Sequence, residues 1–181
     1  MSHRIPLLVL GLGNVLCGDD GVGPAAIAEL DRRYLVPEGV HLADGGTLGL
    51  TLLPLLADAE RVLLIDAVRT DAPAGTMVRL LGEEVAPAVR ARLSVHQIGV
   101  ADVLDGLELC GHWPRLIALL GLVPETMELQ LERSPAVQRM LVQLVDAVAE
   151  EATRWGYVFV PRTVDALAEE SFGARVGAAS R

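Results

Sequence analysis

Short, wholly apolar runs alternate with stretches whose apolar residues recur every three or four positions, the order expected of a strand–helix–strand chain. Residues 5–10 form the first such run and read as a buried strand. Residues 24–34 follow with helical spacing through Ile27, Leu30 and Tyr34, and Pro24 suits a first helical turn. Pro37-Glu38-Gly39 marks a turn, and 40–43 a short second strand. Asp44-Gly45-Gly46-Thr47 then feeds a helix over 48–57, with Thr47 as the expected N-cap. Residues 61–66 are apolar toward both faces, which predicts a central strand, and they end on a carboxylate, Asp66.

Beyond Asp66 the rhythm changes. Residues 69–73 are polar and contain no helical pattern, yet 75–81 again read as a strand. A connection without a crossover helix predicts a strand antiparallel to its neighbours, and Arg79 within it suits a sheet edge. Residues 83–93 are helical or irregular. A helix is expected from 94 to about 109, a buried strand over 116–123, and a long helix from Ser134-Pro135 to about Trp155, with Val137, Met140, Leu141, Leu144, Val145 and Val148 inward. Residues 157–160 suggest a last short strand. The pattern gives one α/β domain over 1–161 and a tail over 162–181 that is a marginal helix or disordered.

Composition narrows this further. The chain has 181 residues, 51% of them hydrophobic but only 3% aromatic, so its core must be aliphatic, as in a buried parallel sheet. A formal net charge of -9 argues against nucleic acid or an anionic membrane as partner. No apolar stretch is long enough to span a bilayer, and the short N-terminal run, broken by Gly11 and Gly13, does not read as a signal peptide. Cys17 and Cys110 form no redox or metal spacing, so a cytoplasmic protein with free thiols is expected.

The chemistry concentrates between the first strand and helix, in Gly11-Leu12-Gly13-Asn14-Val15-Leu16-Cys17-Gly18-Asp19-Asp20-Gly21-Val22-Gly23. A glycine-rich turn at this place commonly cradles phosphate, but the dinucleotide fingerprint needs a glycine where Leu16 stands, and no Gly-Lys-Ser/Thr follows. Asp19 and Asp20 would repel an anion, and they suit a cation better; the competing role for one of them is to cap the helix. Ligands in open α/β sheets bind beyond the carboxyl ends of the strands, and those ends carry Asp20, Asp44, Asp66 and Pro124-Glu125. His96 opens a helix, where an imidazole is pushed toward its neutral, metal-ligating form. Asp20, Asp66 and His96 together would offer two carboxylates and one imidazole, a donor set for nickel, zinc, manganese or cadmium. Taken singly, Asp66 could instead cap a helix or pair with Arg69, and His96 could be a packing residue.

Gly11-x-Gly13-Asn14-x-x-x-x-Asp19-Asp20-Gly21-x-Gly23, Asp44-Gly45-Gly46-Thr47, Leu64-Ile65-Asp66-Ala67, Gly75-Thr76 and Ser94-x-His96-Gln97-x-Gly99 stand in one order. In that order they resemble the [NiFe]-hydrogenase maturation endopeptidases, over nearly the whole chain from about Leu7 to Pro161. The resemblance implies a three-layer α/β/α fold, phosphorylase/hydrolase-like, whose mixed five-stranded sheet has one antiparallel strand. It implies an aspartic-type endopeptidase that removes a C-terminal peptide from a nickel-loaded hydrogenase large-subunit precursor. Nickel is then supplied by the substrate, no organic cofactor is needed, and the catalytic and metal-contacting residues fall on Asp20, Asp66 and His96. Many members carry glutamate where this chain has Asp20, which is one methylene shorter. No His-Glu-x-x-His and no Gly-x-Ser-x-Gly is present, so neither a self-contained zinc protease nor a serine elbow is indicated. Two other classes share the same residues: a small-molecule metallohydrolase on this scaffold, and a non-catalytic nickel-sensing chaperone.

Overall fold

A computed structural model describes residues 4–91 and 100–162. Its centre is a five-stranded sheet in the order β3-β1-β4-β6-β5, built from β1 (Leu7–Leu12), β3 (Val40–Gly46), β4 (Arg61–Ala67), β5 (Met77–Leu81) and β6 (Leu116–Leu122). β1 is parallel to β3 and β4, and β4 to β6, while β5 runs antiparallel to β6 at the edge. The helix-free connection after Asp66 therefore does what the sequence expects of it: it reverses the chain. β4 holds the centre, buried except at its two polar residues, Arg61 and Asp66.

Strand alternation sorts the aliphatic side chains into two cores. Leu7, Val9, Leu63, Ile65 and Leu120 face one side, under α1 (Val22–Arg33) and α5 (Pro135–Arg154). Leu8, Leu10, Val62, Leu64 and Leu119 face the other, under α2 (Leu53–Ala57), α3 (Val85–Ala91) and α4 (Val100–Leu109). The result is the expected three-layer α/β/α arrangement. A separate two-stranded antiparallel pair joins β2 (Tyr34–Leu35) to β7 (Val160–Pro161). Tyr34, expected to end the first helix, starts β2 instead. Its ring meets Phe159 edge-on with centroids 5.9 Å apart.

Other expectations shift locally. α1 begins two residues before Pro24, at Val22. The region after β3 is a 3-10 turn at Gly49–Leu52 followed by α2, and its N-cap position is Leu48 with no side-chain cap bond, so Thr47 does not cap it. Ser134 does cap α5, accepting from the Val137 amide at 3.3 Å. Arg79, on edge strand β5, forms a two-pronged pair with Glu151 of α5 at 2.9 and 3.0 Å. Arg154 also donates to this buried carboxylate, so Glu151 sits in the interior only because it is paired. The expected start of the helix at 94 and the tail from 163 onward lie outside the described residues.

Candidate active site

The carboxyl ends of β1, β3, β4 and β6 lie along one edge of the sheet. The chain leaves β1 through Gly13, whose φ of +123° favours glycine and whose added Cβ would stand 1.8 Å from the Asp20 carbonyl oxygen. That close approach lets the loop fold back on itself. A 3-10 turn at Gly18–Gly21 then carries both aspartates into α1. α1 in turn sits directly on the strand ends, because Gly23 places no side chain against Leu12 and Ile65.

The two aspartates part company in this turn. Asp20 is buried, and its Oδ2 accepts the Asn14 amide at 2.8 Å, which ties the start of the loop to its end. Asp19 is fully buried and looks the other way. Its Oδ2 accepts the amides of Glu125 at 2.8 Å and Thr126 at 3.2 Å, and its Oδ1 accepts the Ser134 amide at 2.7 Å. The N-cap position of α1 is Gly21, so neither carboxylate occupies it. The capping role considered for them gives way to two longer-range roles. Asp19 does bind backbone amides, but those of a segment more than a hundred residues distant rather than of its own turn.

Asp66, next to last in β4, lies beside the β1 exit, since Gly11 pairs with Ile65 in the parallel ladder. Its Oδ1 accepts the amide of Ala67 at 2.7 Å. No helix follows β4 before β5, which removes the helix-cap reading of this residue. By alternation Asp66 shares the face of Val62 and Leu64, the side covered by α4. His96, the third expected member, lies outside the described residues. Among the described residues no group of three or more His, Cys, Asp or Glu is assembled for a metal ion.

Residues 124–134, between β6 and α5, complete this edge, of which the sequence marks only Pro124-Glu125 at a strand end and Ser134 at the start of α5. The amide of Gln130 donates to the Leu16 carbonyl at 2.9 Å, and the amide of Gly18 donates to the Gln130 carbonyl at 2.7 Å. Arg69 Nε, after β4, donates to Met127 Sδ at 3.2 Å. The segment thus touches the loop that carries Asp20 and the loop that follows Asp66. On the other flank a depression of about 150 Å³ is lined by Gly13, Asn14, Val15, Asp44, Gly46 and Thr47. Cys17 is half-buried, Cys110 is exposed, both are free thiols, and His41 and His112 are exposed away from this edge.

Paired carboxylates held by backbone amides at the mouth of a parallel sheet can bind a cation and can polarise a water. Comparison with known proteins agrees with a hydrolytic site. The family model for hydrogenase maturation protease matches residues 24–151. The hydrogenase 2 maturation protease of Escherichia coli K12 is 35% identical over 158 residues, covering 86% of this chain and 96% of that protein. The solved hydrogenase maturating endopeptidase HybD from E. coli superposes with a TM-score of 0.83 at 34% identity, covering 87% of this chain and 98% of that one. The [NiFe] hydrogenase maturation protease HybD from Thermococcus kodakarensis gives a TM-score of 0.67 at 29% identity over 81% of this chain and 99% of that one. With the family model matching most of the chain and a relative 35% identical over nearly its whole length, this chain belongs to the hydrogenase maturation proteases.

Proposed function

We propose that this protease removes the C-terminal peptide of a hydrogenase large-subunit precursor after nickel has been inserted, and that substrate-bound nickel is what it recognises. The observation that carries the reading is that Asp20, in the turn after β1, and Asp66, near the end of β4, each accept a backbone amide at 2.7–2.8 Å. His96, on the sequence motif shared with the family, is the third donor. Two carboxylates and an imidazole without a thiolate make a weak permanent site, so the metal arrives with the precursor and completes its ligand shell there. Asp66, half-buried rather than closed off, takes the part of general base for the attacking water. The proton it accepts passes to the departing amine as the C–N bond breaks, so the enzyme itself needs no covalent intermediate and belongs with aspartic-type hydrolysis.

The chemical logic is differential binding. A nickel ion carried by the precursor adds new contacts to these polar groups, so precursor lacking nickel forfeits contacts worth ~4 kcal/mol together, or about a thousandfold in rate. The test incubates the enzyme with nickel-loaded and nickel-free precursor and follows release of the terminal peptide by electrophoresis. Cleavage of the loaded form alone is expected. Asp66→Asn, which keeps the size and removes the charge, should abolish processing with the fold intact. Equal cleavage of both precursors rejects nickel gating, and full activity in Asp66→Asn rejects the site. Stoichiometric metal surviving dialysis of the isolated enzyme against a chelator would point to a metallohydrolase holding its own ion.

A further inference from the structure

Residues 124–134 contain no helix or strand, yet they are tied down at every turn of their path. Asp19 takes three of their amides, Gln130 exchanges backbone bonds with Leu16 and Gly18, and Met127 meets Arg69. A segment anchored this firmly could have turned its apolar side chains inward. It does the opposite: Leu129 is 84% exposed and Leu131 is 73% exposed, on either side of the pinned Gln130. Across the short ladder, Val15 and Leu16 are 53% and 50% exposed. The four side chains stand on two adjoining segments of the same sheet edge as Asp20 and Asp66. An ordered apolar ridge left in water beside a catalytic site marks a surface built for contact. We propose that this ridge docks the precursor, with Leu129, Leu131, Leu16 and Val15 taking an apolar segment of its chain next to the bond to be cut.

The occupant follows from position and charge. The ridge adjoins the loop that bears Asp20 and the loop that follows Asp66, so whatever it grips is delivered to them, and the polypeptide delivered to a protease site is its substrate. Glu128 and Glu132 flank the two leucines and are exposed, which favours an apolar segment with neutral or cationic flanks and opposes an acidic one. The proposal rests on the precursor-processing function above and adds where the precursor is held.

The test is the Leu129→Asp/Leu131→Asp double variant of the full chain, with Leu129→Met/Leu131→Met as the conservative control. Both leucines project from the surface, so circular dichroism and melting should match the parent. Steady-state cleavage of nickel-loaded precursor should show KM raised at least tenfold with kcat within about twofold, and the Met control should keep the parent KM. Binding of nickel-free precursor, read by anisotropy of a labelled chain, should weaken by a similar factor. Unchanged KM and affinity overturn the docking ridge while leaving the processing function in place. Leucine-dependent binding without cleavage of either precursor form overturns the processing function and leaves the ridge. Absence of both binding and cleavage in the parent overturns both.

Discussion

Replacing Asp19 by asparagine tests how firmly the ridge is fixed. The native carboxylate accepts amides on both oxygens, two on Oδ2 and one on Oδ1, and is fully shielded from water. Asparagine has one acceptor oxygen. If it faces Glu125 and Thr126, its NH2 group meets the Ser134 amide, donor against donor; if it is flipped, two amides are left facing hydrogens. The smaller loss is the first. It leaves one buried amide unsatisfied, about 1–3 kcal/mol, and turns two charge-assisted bonds into neutral ones at roughly 0.5–1 kcal/mol each. A total of about 2–5 kcal/mol is expected. Residues 124–134 have an alternative to global unfolding, since they can lift off and hydrate their amides, and the cost is then capped at the free energy of that local opening. Urea unfolding and amide exchange at Glu125, Thr126 and Ser134 separate the two. Either the midpoint falls by the stated amount, or exchange at these three amides accelerates by one to three orders of magnitude while amides of β4 keep their protection. Stability within ~0.5 kcal/mol of the parent together with unchanged exchange would refute the anchoring role.

Gly23→Ala should injure the site from beneath. Its new methyl would stand 2.2 Å from the Leu12 carbonyl oxygen and 2.5 Å from that of Ile65, both backbone, so the start of α1 must retreat about 1 Å or more. A lower Tm and at least tenfold slower precursor cleavage are expected, and parental values for both would contradict the close seating of α1. Tyr34 gives a pH signature. Burial, then its bond to Asp146 at 2.7 Å, raises the phenol above its ordinary pKa. The folded state therefore holds the proton more tightly than the unfolded chain. That stabilisation is complete below the ordinary phenol pKa of about 10 and disappears as pH climbs through the folded value. Urea midpoints from pH 9 to 11 should fall more steeply for the parent than for Tyr34→Phe; parallel slopes would dismiss the effect.

The sheet was legible because its information is local. Apolar runs of strand length, one of them apolar on both faces, identify 61–66 as central, and the helix-free stretch after Asp66 announces the antiparallel edge strand. Capping was legible where proline follows serine, at Ser134-Pro135, and misleading at Thr47, where Gly46 and Gly49 with positive φ let the backbone turn without a side-chain cap. Tyr34 could not be placed because helical spacing continues through it, while its actual partner, Pro161, lies at the far end of the domain. Asp20 and Asp66 were identifiable as acids at strand ends. What no spacing rule supplies is the third wall, because residues 124–134 have no periodicity and reach the site through Asp19.

Two neighbouring aspartates with opposite assignments show why. A 3-10 turn advances about a third of a turn per residue, so consecutive side chains diverge. Asp20 turns back on its own loop through Asn14, while Asp19 turns away to amides 106 to 115 positions along the chain. In sequence the pair reads as one acidic dipeptide, and either member could be the ligand. In the fold, all three of the amide bonds that Asp19 accepts come from residues 124–134, so its oxygens are engaged in holding that segment. The arrangement separates two demands that a single carboxylate could not meet together. In the proposed role Asp20 meets the substrate, and its turn is tied through Asp19 to the same segment that exposes Leu129 and Leu131. Seating of a precursor on those leucines would therefore press on Asp19, and through the adjoining peptide bond on Asp20. The 3-10 turn of Gly18–Gly21 would then join the proposed docking ridge to the proposed catalytic carboxylate.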